Sequence, residues 1–217
     1  MNRKGQKPLL KTKQTKSLCK GEIIMIYNDV DDELIDASIS GDLEKVKECL
    51  ENGADVNTYS NIDWTPLLCA THFNHLEITK YLIEKGADVN AKDTDTLQLG
   101  LTPLLSATTN EIKNDEVKKE IIKLLIDNGA DVNAKDRNGY TPLINACIAI
   151  KDNFEVVKSL IEKGADVNAK PFKREETALN YAKDKKVISL LKSKMQIKPK
   201  AKAKTKQPNT NNFGMEV

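Results

Sequence analysis

Through the middle of the chain, apolar residues recur as pairs one helical turn after a single apolar position, the spacing of one buried helical face. Ile78 is followed by Tyr81-Leu82, and the same pairing returns as Leu124-Leu125, Leu160-Ile161 and Leu190-Leu191. Each pair predicts the buried stripe of an amphipathic helix. A shorter and more apolar segment lies ahead of it, such as Leu67-Leu68-Cys69-Ala70, with matching small residues at Ala107, Ala146 and Ala182 that permit close packing. Thr65 then Pro66 reads as a helix N-cap followed by proline at the first helical position, where a missing N–H costs nothing. Asn74 stands where the short helix must stop, and asparagine tolerates left-handed backbone. Gly86 ends the longer helix as a left-handed cap, as Gly53, Gly129 and Gly164 do in their own stretches. Val56, Val89, Val132 and Val167 sit in otherwise polar turns and anchor them to the core. A short helix, a turn, a longer helix and a polar loop are thus predicted several times over.

The recurrence is literal. Gly-Ala-Asp-Val-Asn occurs at 53–57, 86–90, 129–133 and 164–168, with starts 33, 43 and 35 residues apart. Thr-Pro-Leu occurs at 65–67, 102–104 and 141–143, with a degenerate Thr177-Ala178-Leu179 after the fourth pentapeptide. A unit of about 33 residues opening on T-P-L-H-x-A and closing on G-A-D-V-N resembles the ankyrin repeat. The resemblance runs from Asp29 to about Lys194. It implies an all-α ankyrin-repeat solenoid of helix-turn-helix units with finger loops, and disordered basic termini. The expected division is an N-terminal unit (29–58), three full repeats (61–91, 99–134, 138–169) and a C-terminal cap (174–194). A basic arm (1–28) and a Lys/Asn-rich tail (195–217) flank it. Atypical end units suit a solenoid whose outer faces meet water.

Some positions depart from the family pattern. Its histidine after T-P-L is Leu68, Leu105 and Ile144 here, which predicts a more apolar but less tightly wired stack. Asp63 and Glu175 replace the glycine that Gly100 and Gly139 keep before the threonine. One insertion lengthens the finger between Asp93 and Gly100, and another falls around Asn110 to Glu116, between the two helices of one repeat.

Composition narrows the class. The 217 residues are 39% hydrophobic, 30% charged and only 5% aromatic, a soluble and helix-favouring mix. The longest uncharged apolar run, Ile23 to Tyr27, is five residues against the roughly 20 that a membrane helix needs. Cys19, Cys49, Cys69 and Cys147 form no C-x-x-C pair, which predicts a reducing, intracellular setting, the cytoplasm first, with the nucleus or delivery into a host cell as alternatives. The net charge of +2 hides an asymmetry. Residues 1–20 and 192–206 hold seven bases each and no acid, which leaves 20 bases against 31 acids between residues 21 and 191. An acidic body carries two basic tails.

No catalytic constellation emerges. His72 and His75 lack the third ligand a catalytic zinc takes. Cys49, Cys69 and Cys147 fall on helix faces with no base beside them, so buried small hydrophobes are expected rather than nucleophiles. Asp55, Asp88, Asp131 and Asp166 occur once per repeat and read as turn formers. Glycine-rich phosphate loops and hydrolase motifs are absent from the sequence, so no enzyme and no cofactor is expected.

The resemblance implies a protein-binding scaffold, adaptor or inhibitor that works through its concave face as a monomer. By alignment to the family that face includes Asn61, Ile62, Trp64, His72 and Phe73 from the first full repeat and Leu101 from the second. Arg137, Asn138, Tyr140 and Ile148 come from the third, and Phe172 and Arg174 from the cap. Aromatics and arginine are the usual anchors of protein interfaces. The alternative is weak, non-specific contact with nucleic acid or an anionic membrane through the lysine tails.

Overall fold

The structure, a computed structural model, describes residues 30–60, 62–93, 100–109, 115–149 and 153–195. The expected disorder of the arm and tail lies outside these residues, as does Asn61. Among the described residues there are ten helices and no strand. They pair as α1 (Val30–Ser40) with α2 (Leu43–Glu51), α3 (Pro66–His72) with α4 (Leu76–Glu84), and α5 (Pro103–Thr109) with α6 (Asp115–Asp127). The array continues with α7 (Pro142–Ala149) and α8 (Phe154–Glu162), then α9 (Ala178–Tyr181) and α10 (Lys185–Met195). The first helix of each pair packs on the first helix of the next pair, and the second on the second. Two parallel rows result, an inner and an outer one, and from α3 onward each inner helix is shorter than its outer partner.

Local chemistry sets the ends of these helices. Thr65, Thr102 and Thr141 accept through Oγ1 from the N–H three residues on, at 3.2, 3.3 and 3.4 Å. Asn74 turns the chain at φ +60°. The outer helices close in a common way: Ala54, Ala87, Ala130 and Ala165 donate back to the carbonyls of Cys49, Leu82, Leu125 and Leu160 at 2.9–3.0 Å. This six-to-one bond needs a left-handed residue just before it, which the pentapeptide glycine supplies.

Ala70, Ala107 and Ala146 are fully buried between the rows. Ala182 differs: it lies just past the four-residue α9, half-buried, because that unit lacks the proline that starts the other inner helices. Two apolar clusters form the core, one around α1–α4 and one from α5 to α10. Leu68 and Leu105 join them through a small cluster with Leu101. Two of the residues that replace the family histidine, Leu68 and Leu105, therefore pack together, while Ile144 lies in the larger cluster.

The expectation of loose wiring is corrected by the asparagine of the pentapeptide. Asn57 Nδ2 donates to the Gly86 carbonyl at 3.3 Å while its Oδ1 accepts from Asp88 N–H at 2.8 Å. Asn90 bridges Gly129 and Asp131 in the same way, at 3.1 and 2.7 Å, and Asn133 bridges Gly164 and Asp166, at 3.0 and 2.8 Å. At the start of the array Asp31 Oδ1 takes the matching N–H of Asp55 at 2.8 Å. Each pentapeptide grips the next through both hydrogen-bonding atoms of one amide.

At Gly129, with φ +85°, an added Cβ would meet nothing within 4 Å, so only backbone strain opposes a side chain there. Gly129→Val should destabilise the array by about 2 kcal/mol and Gly129→Asn by clearly less, since asparagine visits the left-handed region most readily. Urea unfolding of the two variants checks the order; equal midpoints would show that the helix does not end at this glycine.

Candidate binding face

The first three fingers are each closed at the base by one polar side chain. Ser60 N–H donates to the Trp64 carbonyl at 2.9 Å, and Ser60 Oγ accepts from Ile62 and Trp64 N–H at 3.3 and 3.1 Å. Asp136 pairs with Tyr140 likewise, and its Oδ1 accepts from Asn138 and Tyr140 N–H, both at 2.8 Å. Asp93 does the same with Leu101, at 3.0 and 2.9 Å. Three residues separate the partners in the first and third fingers and seven in the second, so the base is closed in the same way although the second segment is longer. Burial raises the Asp93 carboxyl above the ordinary carboxylate range, opposed by the Leu101 and Gly100 N–H groups that bind its charge. Asp63 adopts the left-handed φ of +57° that Gly100 and Gly139 adopt at the same slot.

Trp64, Leu101 and Tyr140 share the slot before the capping threonine, and that slot points down onto the inner helices. Leu101 is 5% exposed, packed on Leu68 and Leu105. That burial removes it from the candidate face. Trp64 and Tyr140 are half-buried on the same ledge, Trp64 against the Leu68 cluster and Tyr140 against the large core, so they floor the face rather than project from it. The Trp64 indole N–H is buried without an acceptor.

The remaining expected residues gather in two groups. Near the N-terminal end the Trp64 and His72 rings lie 4.8 Å apart, the His72 and Phe73 rings 5.0 Å, and Phe73 and His75 stack at 6.4 Å. His72 Nδ1 and Ser106 Oγ share a hydrogen bond of 3.2 Å into the next repeat. His75 Nε2 donates to the Ile39 carbonyl at 2.9 Å and covers Gly41 closely enough to leave no room for a Cβ. Both histidines therefore join neighbouring units. Ile62 and Phe73 stay exposed beside them.

At the other end Phe172 N–H donates to the Asn138 carbonyl at 2.8 Å, and Phe172 lies so near Gly139 that a Cβ there would stand 2.9 Å from its backbone nitrogen. Phe172 is 68% exposed, the most exposed large apolar residue among those described. Arg174 pairs with Glu176 at 3.2 Å, and Tyr181 Oη donates to the same carboxylate at 2.5 Å. The Tyr181 phenol is pushed up to about 12, chiefly by that bond to Glu176. Arg137 and Asn138 are exposed on the finger, and Ile148 is exposed at the end of α7. Sequence reasoning missed Glu176 and Tyr181, which meet across the single turn of the fifth inner helix, α9.

The cysteine thiols match the buried reading. Burial pushes Cys69 and Cys147 up to about 12, far from thiolate chemistry. Among the described residues no group of three or more His, Cys, Asp or Glu could hold a metal ion, and no helix is long and apolar enough to cross a membrane.

A family profile described as ankyrin repeats in three copies matches residues 34–136 and 112–203, most of the chain. The chain belongs to the ankyrin-repeat family. Ankyrin repeats generally mediate protein–protein interaction and are typically non-enzymatic. Among curated relatives, alpha-latrocrustotoxin-Lt1a of Latrodectus tredecimguttatus is 42% identical over 69 residues, 31% of this chain and 5% of that protein. Protein phosphatase 1 regulatory subunit 27 of Homo sapiens is 40% identical over 62 residues, 29% of this chain and 40% of that protein. Ankyrin repeat, SAM and basic leucine zipper domain-containing protein 1 of Mus musculus is 32% identical over 83 residues, 38% of this chain and 16% of that protein. The likeness therefore covers well under half of each relative's own length.

Burial holds the His72 imidazole below its ordinary value of 6.5. With a lowered folded-state pKa, the unfolded chain takes up the proton first, so stability is complete above about pH 6.5 and is lost as pH falls from there towards the folded pKa. The drop in urea midpoint between about pH 7.5 and pH 5.5 should be smaller in His72→Gln than in the parent; an equal drop would mean that this ring gains no protection from burial.

Proposed function

We propose that this ankyrin array is a protein-recognition module, a scaffold, adaptor or inhibitor, whose partner lies along the inner helices and fingers. The observation that carries the reading is the placing of exposed apolar side chains on that side of the molecule. Ile62, Phe73, Ile148 and Phe172 are each between 39% and 68% exposed, at a cost in water that the fold does not require. Trp64 and Tyr140 give the face a rigid aromatic floor. Arg137, Asn138 and Arg174 provide a polar rim of the kind that surrounds interface anchors. His72 belongs to the ledge and acts by holding Trp64 and Phe73 in place. The name of the human relative, a phosphatase regulatory subunit, fits an adaptor or inhibitor and goes no further than that class. Three buried free thiols, Cys49, Cys69 and Cys147, favour work by a single chain in a reducing, intracellular compartment.

The partly buried floor changes which residues test the face. Removing Trp64 or Tyr140 takes packing from the array itself, whereas Phe73→Ala with Phe172→Ala removes two exposed anchors. Together they should weaken partner binding by about 30-fold or more, with a smaller shift of the melting curve than Trp64→Ala causes. A photo-crosslinking residue at Phe172 should capture the partner, and one at Glu155 on the outer helix α8 should not. Capture from Glu155 alone, or through the lysine tails alone, would place the binding surface elsewhere.

A further inference from the structure

The fingers carry a second ladder besides the asparagines. Two residues beyond each pentapeptide asparagine stand Tyr59, Lys92, Lys135 and Lys170, one per finger at the same register. All four are exposed. Lys92 Nζ leans onto the next finger and donates to the Lys135 carbonyl at 3.2 Å. The Lys92 and Arg137 stems flank Gly100, within 3.1 and 3.5 Å of where its Cβ would stand, and both cations act on the Asp93 carboxylate. Among the described residues the carboxylates nearest these cations are buried or accept backbone N–H groups. Asp93 is 4% exposed with a raised carboxyl pKa, and Asp136 accepts from two backbone N–H groups. Asp88, Asp131 and Asp166 each accept from the N–H two residues on. Lys170 does pair with Glu175. A body with 31 acids to 20 bases between residues 21 and 191 thus presents a row of cations along its fingers.

We infer that this row binds an extended acidic segment of a partner protein, with a carboxylate at every third residue. The inference rests on the protein-recognition reading above and names the chemistry of the partner. Its geometry follows from the asparagine ladder, which fixes each finger to the next, so the lysines repeat at the interval of the inner helices. Packed helices stand about 8–10 Å apart. An extended chain advances about 3.3 Å per residue and a polyproline helix about 3.1 Å, so three residues span one finger in either form. A polyproline helix also has three residues per turn, which puts every third side chain on one edge. The exposed ring of Tyr59, in the slot where the other fingers have lysine, leaves the N-terminal end of the row to an apolar or cationic side chain.

Two labelled peptides of one composition test the inference by fluorescence anisotropy with the full chain at low ionic strength. One is four Glu-Pro-Pro triplets, and the other is four consecutive Glu followed by eight Pro. The basic tails attract both isomers without regard to spacing. The spaced peptide should bind about tenfold more tightly, and Lys92→Glu with Lys135→Glu should abolish that preference, while Lys158→Glu on the exposed side of α8 leaves it intact. Equal binding of the two isomers, or equal sensitivity to Lys158→Glu, overturns the inference. A single-stranded RNA oligomer that binds more tightly than the spaced peptide and is lost in the same double variant overturns it in favour of a phosphate backbone. If the Phe73→Ala, Phe172→Ala pair loses the natural partner while the isomers bind alike, the recognition face stands and only the acidic partner is withdrawn.

Discussion

One side-chain amide per repeat holds this array in register. Asn57, Asn90 and Asn133 each use their N–H to hold the next helix's terminal glycine carbonyl and their oxygen to hold the next turn's aspartate N–H. Both groups are orphans of a helix end, which would otherwise need water or a cap of their own. Satisfying them from the neighbouring unit makes helix termination and repeat stacking the same event. A helix that ended one residue late would misplace both groups and leave the preceding asparagine without a partner.

The same constraint explains where the array tolerates irregularity. In sequence both insertions fall outside the pentapeptides, one between Asp93 and Gly100 and one between α5 and α6. The Asp93–Leu101 base is closed as Ser60–Trp64 and Asp136–Tyr140 are closed. The candidate face inherits its precision from this arrangement. Phe73 is placed by the ring contacts of α3, and Phe172 by a backbone bond to the previous finger. Finger side chains at one register keep one spacing, and a face built this way recognises a partner by the interval between contacts as much as by their chemistry.

Much of the architecture was legible in the sequence because its signals are local. A threonine before a proline, an asparagine at a turn and a glycine after an apolar stripe each specify backbone within a few residues, and all recur. The role of the pentapeptide asparagine was present in the repeat but hidden, since its partners lie 29 to 41 residues away and only the stacked array brings them near. Leu101 was misplaced for a related reason. Its slot equivalence with Trp64 and Tyr140 is real, but the leucine there is buried against Leu68 and Leu105. The Arg174–Glu176–Tyr181 group depends on the shortness of α9, a tertiary outcome of a weak inner helix. The sequence shows only that His75 lacks metal partners; its cover over Gly41 shows which two units it joins.

Equilibrium urea unfolding of the Asn90→Ala, Asn133→Ala double variant tests the asparagine ladder most directly. Four inter-repeat hydrogen bonds disappear while every intra-repeat contact stays. The account predicts a loss of about 2 kcal/mol or more and a shallower or stepwise transition, because repeats stabilised by their neighbours lose cooperativity when the coupling between them weakens. A single transition with the parent's midpoint and slope would show that the apolar rows alone hold the repeats together, and that the ladder is a consequence of the stack rather than its constraint.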